Sequence, residues 1–251
     1  MLTTERKALF LDRLRSDGRL VAKSLAEELG LSEDTIRRDL REMAADGLLA
    51  RVHGGAMPLQ PGLPDFAARK SVASDEKKRL GQAAATLVRQ GQTVFIDGGT
   101  TNAEIARALP RDTAFTVVTH SPTIAAELEH HPSAEVILIG GRVYKHSMVA
   151  VGSMASAAIA TMRPDLFFLG ATAAHVRHGF TTGDFEEAAI KRQIALQSTR
   201  TYVALTSDKL GRASPVTIMP LEAAAGIILS QQAGTEQREE LVSAGIAVVP
   251  A

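Results

Sequence analysis

Ser32-Glu33-Asp34-Thr35-Ile36-Arg37-Arg38-Asp39-Leu40 is the stretch on which the reading of the chain turns. Ser32 suits a helix N-cap, and Glu33 and Asp34 put acids into the first turn that follows. Ile36, Leu40 and Met43 recur at i, i+4 and i+7, so one face of this helix is buried. Thr35, Arg37, Arg38 and Arg41 are left facing outward. Arginine forks onto guanine edges or phosphates, and threonine bonds phosphate or touches a thymine methyl. By itself the set also fits an ordinary solvated helix face, so the surroundings decide.

Upstream, Thr4 is placed to cap a helix carrying Ala8, Leu9, Leu11, Leu14 and Arg15, which stops near Asp17-Gly18. Val21 opens a second helix with Leu25 and Leu29, closed by Gly30 in a C′ position. Helix, tight turn and helix then follow in order, and small Ala26 permits close packing. Downstream, Leu48-Leu49-Ala50-Arg51-Val52 and the turn at Gly54-Gly55 make a β-hairpin that carries Arg51 and His53 toward a DNA backbone or minor groove. The expected DNA contacts are Ser32, Thr35, Arg37, Arg38, Arg51 and His53.

Thr35-Ile36-Arg37-Arg38-Asp39-Leu40, followed by Gly47-Leu48-Leu49-Ala50-Arg51-Val52-His53-Gly54-Gly55-Ala56, resembles the winged helix-turn-helix domain of the DeoR family of bacterial transcriptional regulators. Both motifs are long, and their order and spacing match.

The 251 residues leave room for one large domain or two smaller ones. Aromatics are 4% of the chain and tryptophan is absent, so the core is aliphatic and alanine-rich. Formal net charge is zero, which disfavours sequence-blind nucleic-acid binding through a broad basic field. Residues 1–57 hold ten Lys/Arg and ten Asp/Glu, so a basic face there arises from placement and not from excess. The absence of cysteine excludes disulfides, thiolate-bound zinc and thiol nucleophiles. No histidine spacing suggests a metal, and no cofactor is expected. With no signal pattern and no apolar run near ~20 residues, the expectation is a soluble cytoplasmic protein.

Three prolines and a glycine in Met57–Asp65 mark a boundary. The expected division is a DNA-binding domain over 1–57, a linker over 58–74 and an α/β domain over 75–251. Beyond Asp75, apolar runs such as Thr93–Ile96, Phe115–Thr119, Glu135–Ile139, Leu166–Leu169, Thr201–Leu205 and Gly226–Leu229 alternate with helical patterns, including one expected over Ser147–Met162. Continuous apolar strands between helices predict a largely parallel, Rossmann-like sheet covered on both faces. Ligands of such sheets sit at the C-terminal strand ends.

At the first of those ends stands Asp97-Gly98-Gly99-Thr100-Thr101-Asn102. Two glycines admit close backbone approach, and a helix start supplies free N–H donors and partial positive charge. It is neither a dinucleotide fingerprint nor a P-loop, so a small phosphorylated metabolite fits better than a nucleotide. Other strand ends add His120, the Gly140-Gly141-Arg142 loop and Lys209. The expected effector-binding set is Asp97, Gly98, Gly99, Thr100, Thr101, Asn102, His120, Gly141, Arg142 and Lys209. Glu187 and Lys191 read as an i,i+4 pair near the pocket rim.

Asp97-Gly98-Gly99-Thr100-Thr101, the Gly140-Gly141 pair, Glu187-Ala188 with Lys191-Arg192, and Asp208-Lys209-Leu210-Gly211 also resemble, in order, the motifs of the DeoR-type sensor domain; Phe66, Arg69 and Lys77 resemble its linker pattern. The resemblance covers nearly the whole chain. It implies a ribose-5-phosphate isomerase-like fold and a sensor of a phosphorylated sugar, usually repressing a carbohydrate operon. Thr206 stands where the family often has Asp, Thr172-Ala173 where it often has Asp/Ser-Gly, and His120 where Asn is commoner, so either less hydroxyl recognition or a more anionic effector than usual is expected.

The expected function is thus a DNA-binding regulator, a dimer or tetramer that holds operator DNA and answers to a small anionic metabolite. The alternative is a sugar-phosphate isomerase-like enzyme with an accessory N-terminal domain, using Asp97, Asp208 or Lys209 to move a proton. A third possibility, an interaction module without a small ligand, is disfavoured by the glycine-rich strand-end loops.

Overall fold

The computed structural model describes residues 3–46, 48–52, 54–58, 66–69 and 71–251. The head comprises α1 (Thr3–Asp17), β1 (Leu20–Val21), α2 (Ala22–Leu29), α3 (Glu33–Ala45), β2 (Leu49–Val52) and β3 (Gly55–Pro58). The expected signals on α2 and α3 act as read. Gly30 caps α2 at φ 63°, and the Ser32 hydroxyl accepts from the Thr35 N–H at 3.2 Å. Ile36, Leu40 and Met43 are fully buried against Phe10, Leu14 and Leu25. The β2–β3 hairpin forms, and β1 pairs with β3. Gly55 is required there, because a Cβ would sit 1.8 Å from the Leu20 carbonyl oxygen.

Helix α1 differs from its reading. It starts at Thr3, so Thr4 lies inside the first turn instead of capping it. Phe10 and Leu14 go inside, while Ala8 is exposed. Arg6 is also buried, bonded through Nε to Asp39 Oδ2 at 2.5 Å. This pair, 33 residues apart, ties the first helix to the third.

Most of the proline-rich stretch, 59–65, lies outside the described residues. After it come α4 (Phe66–Arg69) and α5 (Ser74–Ala85). The alternation then runs β4 (Thr93–Ile96), α6 (Thr100–Ala108), β5 (Phe115–Thr119), α7 (Pro122–Glu127) and β6 (Ala134–Leu138). It continues through β7 (Arg142–Tyr144), β8 (Val149–Val151), α8 (Ser153–Ala160), β9 (Leu166–Phe168), β10 (Ala173–His175), β11 (Gly179–Thr182) and α9 (Phe185–Gln197). The chain closes with β12 (Arg200–Leu205), β13 (Val216–Met219), β14 (Gly226–Leu229), α10 (Thr235–Ser243) and β15 (Val248–Pro250).

Seven of these strands form one sheet in the order β15-β14-β12-β9-β4-β5-β6, every pair parallel. Along β4 the pleat sends Val94 and Ile96 to one face and Phe95 to the other. Helices α5, α6 and α7 cover the first face, and α8, α9 and α10 the second. The chain steps outward from β4 through β5 to β6, then returns to place β9 on the other side of β4. That reversal opens a crevice at the C-terminal ends of β4 and β9.

The helix expected over Ser147–Met162 is a correction. Its first part is the β7–β8 hairpin, and the helix begins only at Ser153. The β10–β11 hairpin and β13, where no strand was expected, form a separate three-stranded antiparallel sheet. These strands are three or four residues long, too short for a two-residue alternation to stand out.

Candidate functional site

Asp97 leaves the end of β4 and sits wholly buried at the crevice between β4 and β9. Its Oδ1 accepts from the Gly98 N–H at 2.7 Å and from His120 Nε2 at 2.8 Å. Its Oδ2 accepts from the Gly170 N–H at 2.8 Å and faces Lys191 Nζ at 3.0 Å. Burial alone would raise this carboxyl, but Lys191 and His120 outweigh it and hold it down at about 2.

Lys191 is the counterpart. Its ammonium also reaches Glu187 Oε1 at 3.1 Å and the Gly170 carbonyl, so all three donors are used. Burial pulls the amine down and the Asp97 and Glu187 charges push it up further, for a net rise. Glu187 is lowered against its own burial, chiefly by Lys191, and its Oε2 accepts from Thr182 Oγ1 at 2.8 Å. The two ring nitrogens of His120 face Asp97 and the Ala150 carbonyl oxygen, the latter at 2.8 Å. Asp97, Glu187, Lys191 and His120 thus share one dry site.

This changes the standing of several expected effector contacts. Asp97 and His120 are saturated by protein groups, and their side chains shape the loop from beneath. Asn102 does the same, donating from Nδ2 to the carbonyls of Asp97 at 3.0 Å and Phe168 at 3.1 Å. Arg142 turns to the surface, where it pairs with Glu186. The remaining expected contacts are Gly98, Gly99, Thr100, Thr101, Gly141 and Lys209. Gly98 is packed beneath the β7–β8 hairpin, where a Cβ would meet Val149 Cγ1 at 2.3 Å. Thr101 is buried in the first turn of α6, and its Oγ1 has no hydrogen-bond partner among the described residues.

Beside this loop, half-buried Lys209 donates to the Ala171 carbonyl oxygen at 2.8 Å. Burial lowers its amine to about 8; Asp208 opposes the shift, and Arg69, Lys77 and Lys191 add to it. Lys77 is lowered too, again mainly by burial, while its Nζ caps the Arg69 carbonyl at 2.7 Å. Glu76 is spent structurally, accepting from the Ser207 N–H at 2.9 Å and the Ser230 hydroxyl at 2.5 Å. The Asp97–Lys191–Glu187 network was visible in sequence only as a helical i,i+4 pair, and neither Arg69 nor Lys77 was read as lying near Lys209. The resemblance of their segment to a linker pattern was the one available signal. Among the described residues no cluster of metal-ligating side chains occurs, and no helix is long and apolar enough to cross a membrane.

The second site lies on the head. Arg37, Arg38, Arg41 and Arg51 are exposed around a shallow concavity that Asp34 and Thr35 complete. Four arginines therefore converge despite the even charge count of the head. Arg37 is held along the helix by Glu33, with Nη2 at 2.7 Å, whereas Arg38 and Arg41 have no ion pair among the described residues. Ser32 is committed to its cap and also bonds Thr35 Oγ1 at 2.9 Å. His53 lies outside the described residues.

Known proteins match this architecture in sequence. A family model of the DeoR C-terminal sensor domain matches residues 72–231, and one of the DeoR-like helix-turn-helix domain matches residues 6–61. The HTH-type transcriptional regulator GlpR of Haloferax volcanii is 38% identical, over 99% of this chain and 98% of its own. The lactose phosphotransferase system repressor of Lactococcus lactis is 32% identical, over 80% of this chain and 81% of its own. The solved ribose 5-phosphate isomerase A of Methanocaldococcus jannaschii aligns with 55% of this chain and 54% of its own, at a TM-score of 0.41 and 14% identity.

Proposed function

The chain belongs to the DeoR family of DNA-binding transcriptional regulators, and from that premise we propose that it represses a carbohydrate-metabolism operon under the control of a phosphorylated sugar or related small anion. The observation that carries the DNA half is the outward arginine set on α3 and β2. We assign 1–57 to DNA binding, 58–74 to the linker and 75–251 to effector sensing. Arg38 is free to meet a base or phosphate, while Arg37 must first leave Glu33. Thr35 and Arg51 flank them, Ser32 fixes the helix start, and His53 is assigned as a further DNA contact.

The effector half rests on the buried Thr101 hydroxyl, which lacks a protein partner and therefore calls for one. The α6 N-terminus and the glycine backbone offer further donors to an anion. Lys209, with Arg69 and Lys77 near it, supplies positive charge for such an anion. Asp97 speaks against the isomerase alternative: a carboxylate held at about 2 and bonded to four donors is a poor proton shuttle. Relatives named as a lactose phosphotransferase system repressor and a glycerol-3-phosphate regulon repressor agree with this choice. The exposed edge strand β6, with Val136, Ile137 and Leu138 open to solvent, suits a homo-oligomer whose two heads meet successive half-sites.

Anisotropy with DNA from upstream of the chain's own gene, titrated with triose, pentose and hexose phosphates, tests both halves. Tight binding shifted by one phosphorylated compound is the expected result; absence of specific binding at low salt overturns the reading. In the same assay Arg38→Ala is expected to lose ~1–3 kcal/mol of operator affinity. Unchanged affinity would remove α3 from the interface.

Effector potency also follows pH. Lys209 is protonated below about 8 and neutral above it, so an anion held by its ammonium binds more weakly as pH climbs past that value. A phosphate monoester is already dianionic above about 6, so potency is flat between those limits. Dose–response curves from pH 7 to 9 check this, and a midpoint that does not move excludes Lys209 as a phosphate partner.

A further inference from the structure

We propose that the β10–β11 hairpin is the strut that carries the state of the sensor crevice to the DNA-binding head, by gripping the end of α1; this rests on the effector reading above.

The base of the hairpin is built into the site. Gly170 donates its N–H to Asp97, Ala171 accepts from Lys209, and Thr182 at the end of β11 bonds Glu187. A ligand that draws on Lys209 or disturbs the Asp97–Lys191–Glu187 network therefore acts directly on both legs of the hairpin. The strands between base and tip are stiffened by pairing, Ala173 with Thr181 and His175 with Gly179, and β11 pairs on its other side with β13.

The tip meets the head. A tight turn from His175 to His178 is closed by the His178 N–H to the His175 carbonyl at 3.1 Å, and the Arg177 N–H donates to His175 Nδ1 at 3.0 Å. That turn aims Arg177 at Asp17, with Nη2 to Oδ1 at 3.0 Å, and sets His178 Nε2 3.7 Å from the same oxygen. Beside it Gly18 packs on Ala213, so closely that a Cβ would lie 3.1 Å from the Ala213 carbonyl oxygen. The next residue, Ser214, donates its N–H to Thr181 Oγ1 at 2.8 Å, so this second contact is tied to the hairpin as well. Burial pushes the Asp17 carboxyl up, yet Ser16, Arg177, Arg13 and His178 together hold it below its ordinary value.

Two properties suit a switch. The grip lies at the end of α1 and leaves Arg37, Arg38, Arg41 and Arg51 exposed, so it orients the head without covering its arginines. The ion pair is also weak, since the Arg177 side chain is 64% exposed. Surface pairs of this kind contribute little, so a ligand with modest preference for one state can open or close the grip.

The test uses the full-length chain with Asp17→Arg, Arg177→Asp, the double charge swap and Thr182→Val. Hydrogen–deuterium exchange is read over Asp12–Gly18 and over the hairpin tip; operator affinity is read with and without the phosphorylated compound that shifts the wild type. Each single reversal is expected to speed exchange at both places by up to about fivefold, the factor matching the ~1 kcal/mol upper end for an exposed pair. It should also shrink the effector-induced change in operator affinity, and the swap should restore both. Thr182→Val, which loosens only the base, should speed exchange at Asp12–Gly18 as well. Wild-type exchange there in Thr182→Val overturns the strut, as does an effector response in the single reversals equal to the wild type. A wild type that binds DNA but ignores every phosphorylated compound refutes the effector reading separately, and the Thr182→Val exchange result still decides whether base and head are coupled.

Discussion

Replacing Lys191 with methionine is expected to destabilise the sensor domain by ~3–5 kcal/mol, the usual cost of removing one partner from a buried ion network. The ammonium of Lys191 faces Asp97 Oδ2 at 3.0 Å and Glu187 Oε1 at 3.1 Å with its own side chain 5% exposed, so its removal leaves two buried carboxylates short of a cation. Domains are stable by only ~5–15 kcal/mol, so much of the margin goes. The pH dependence should change form as well. In the wild type both carboxyls sit below their ordinary values, so their stabilisation is present above about 4 and is lost as pH falls toward the Asp97 value of about 2. In the variant the carboxyls titrate upward, and lowering the pH from 7 to 5 should recover stability instead of leaving it unchanged. Urea unfolding followed by circular dichroism at both pH values checks this. A midpoint equal to wild type at pH 7 would mean that Lys191 does not balance the site.

Asp39→Leu is the second large effect, and it falls on the head. Arg6 Nε lies 2.5 Å from Asp39 Oδ2, with side chains 7% and 2% exposed. Loss of the carboxylate strands a buried guanidinium between α1 and α3 at a cost of ~3–5 kcal/mol, more than a head of under 60 residues can spare. Operator binding should vanish while the sensor domain unfolds at its usual denaturant concentration. The double change Arg6→Met/Asp39→Leu removes both charges together and is expected to recover most of the stability, because an apolar pair of similar volume replaces an ion pair that was costly to desolvate. Failure of the single variant to lose DNA binding would show that α3 is held by its apolar face alone.

The contrast between these residues and the motifs around them shows what could be read in advance. Ser32, Gly30 and the Ile36–Leu40–Met43 row were legible because a cap, a left-handed C′ position and a helical stripe are encoded within a few residues of one another. The parallel sheet was legible for a similar reason, since continuous apolar strands between helical segments leave few other architectures. The β7–β8 hairpin was not. Ser147–Met162 is rich in alanine and other helix-compatible residues, and its first strand-forming residues pair with Arg142–Tyr144 only because the sheet brings the two together. The phosphate loop was found by its glycines and threonines, but the roles within it were not. Asp97, Asn102 and His120 look like ligand-facing groups in a list of residues, whereas in space their polar atoms are consumed by Gly98, Gly170, Lys191, Phe168 and Ala150.

By itself, then, the sequence determined most of the helices and parallel strands, the two-part organisation and the family, because these follow from local periodicity, capping and motif spacing. The tertiary structure alone decided which charges are buried and with whom. Arg6 and Asp39, both buried, are 33 residues apart. A charge is tolerated in the interior only if its partner arrives within a few ångströms in a low-dielectric setting. That condition depends on distance and burial in three dimensions, and no local pattern along the chain carries it.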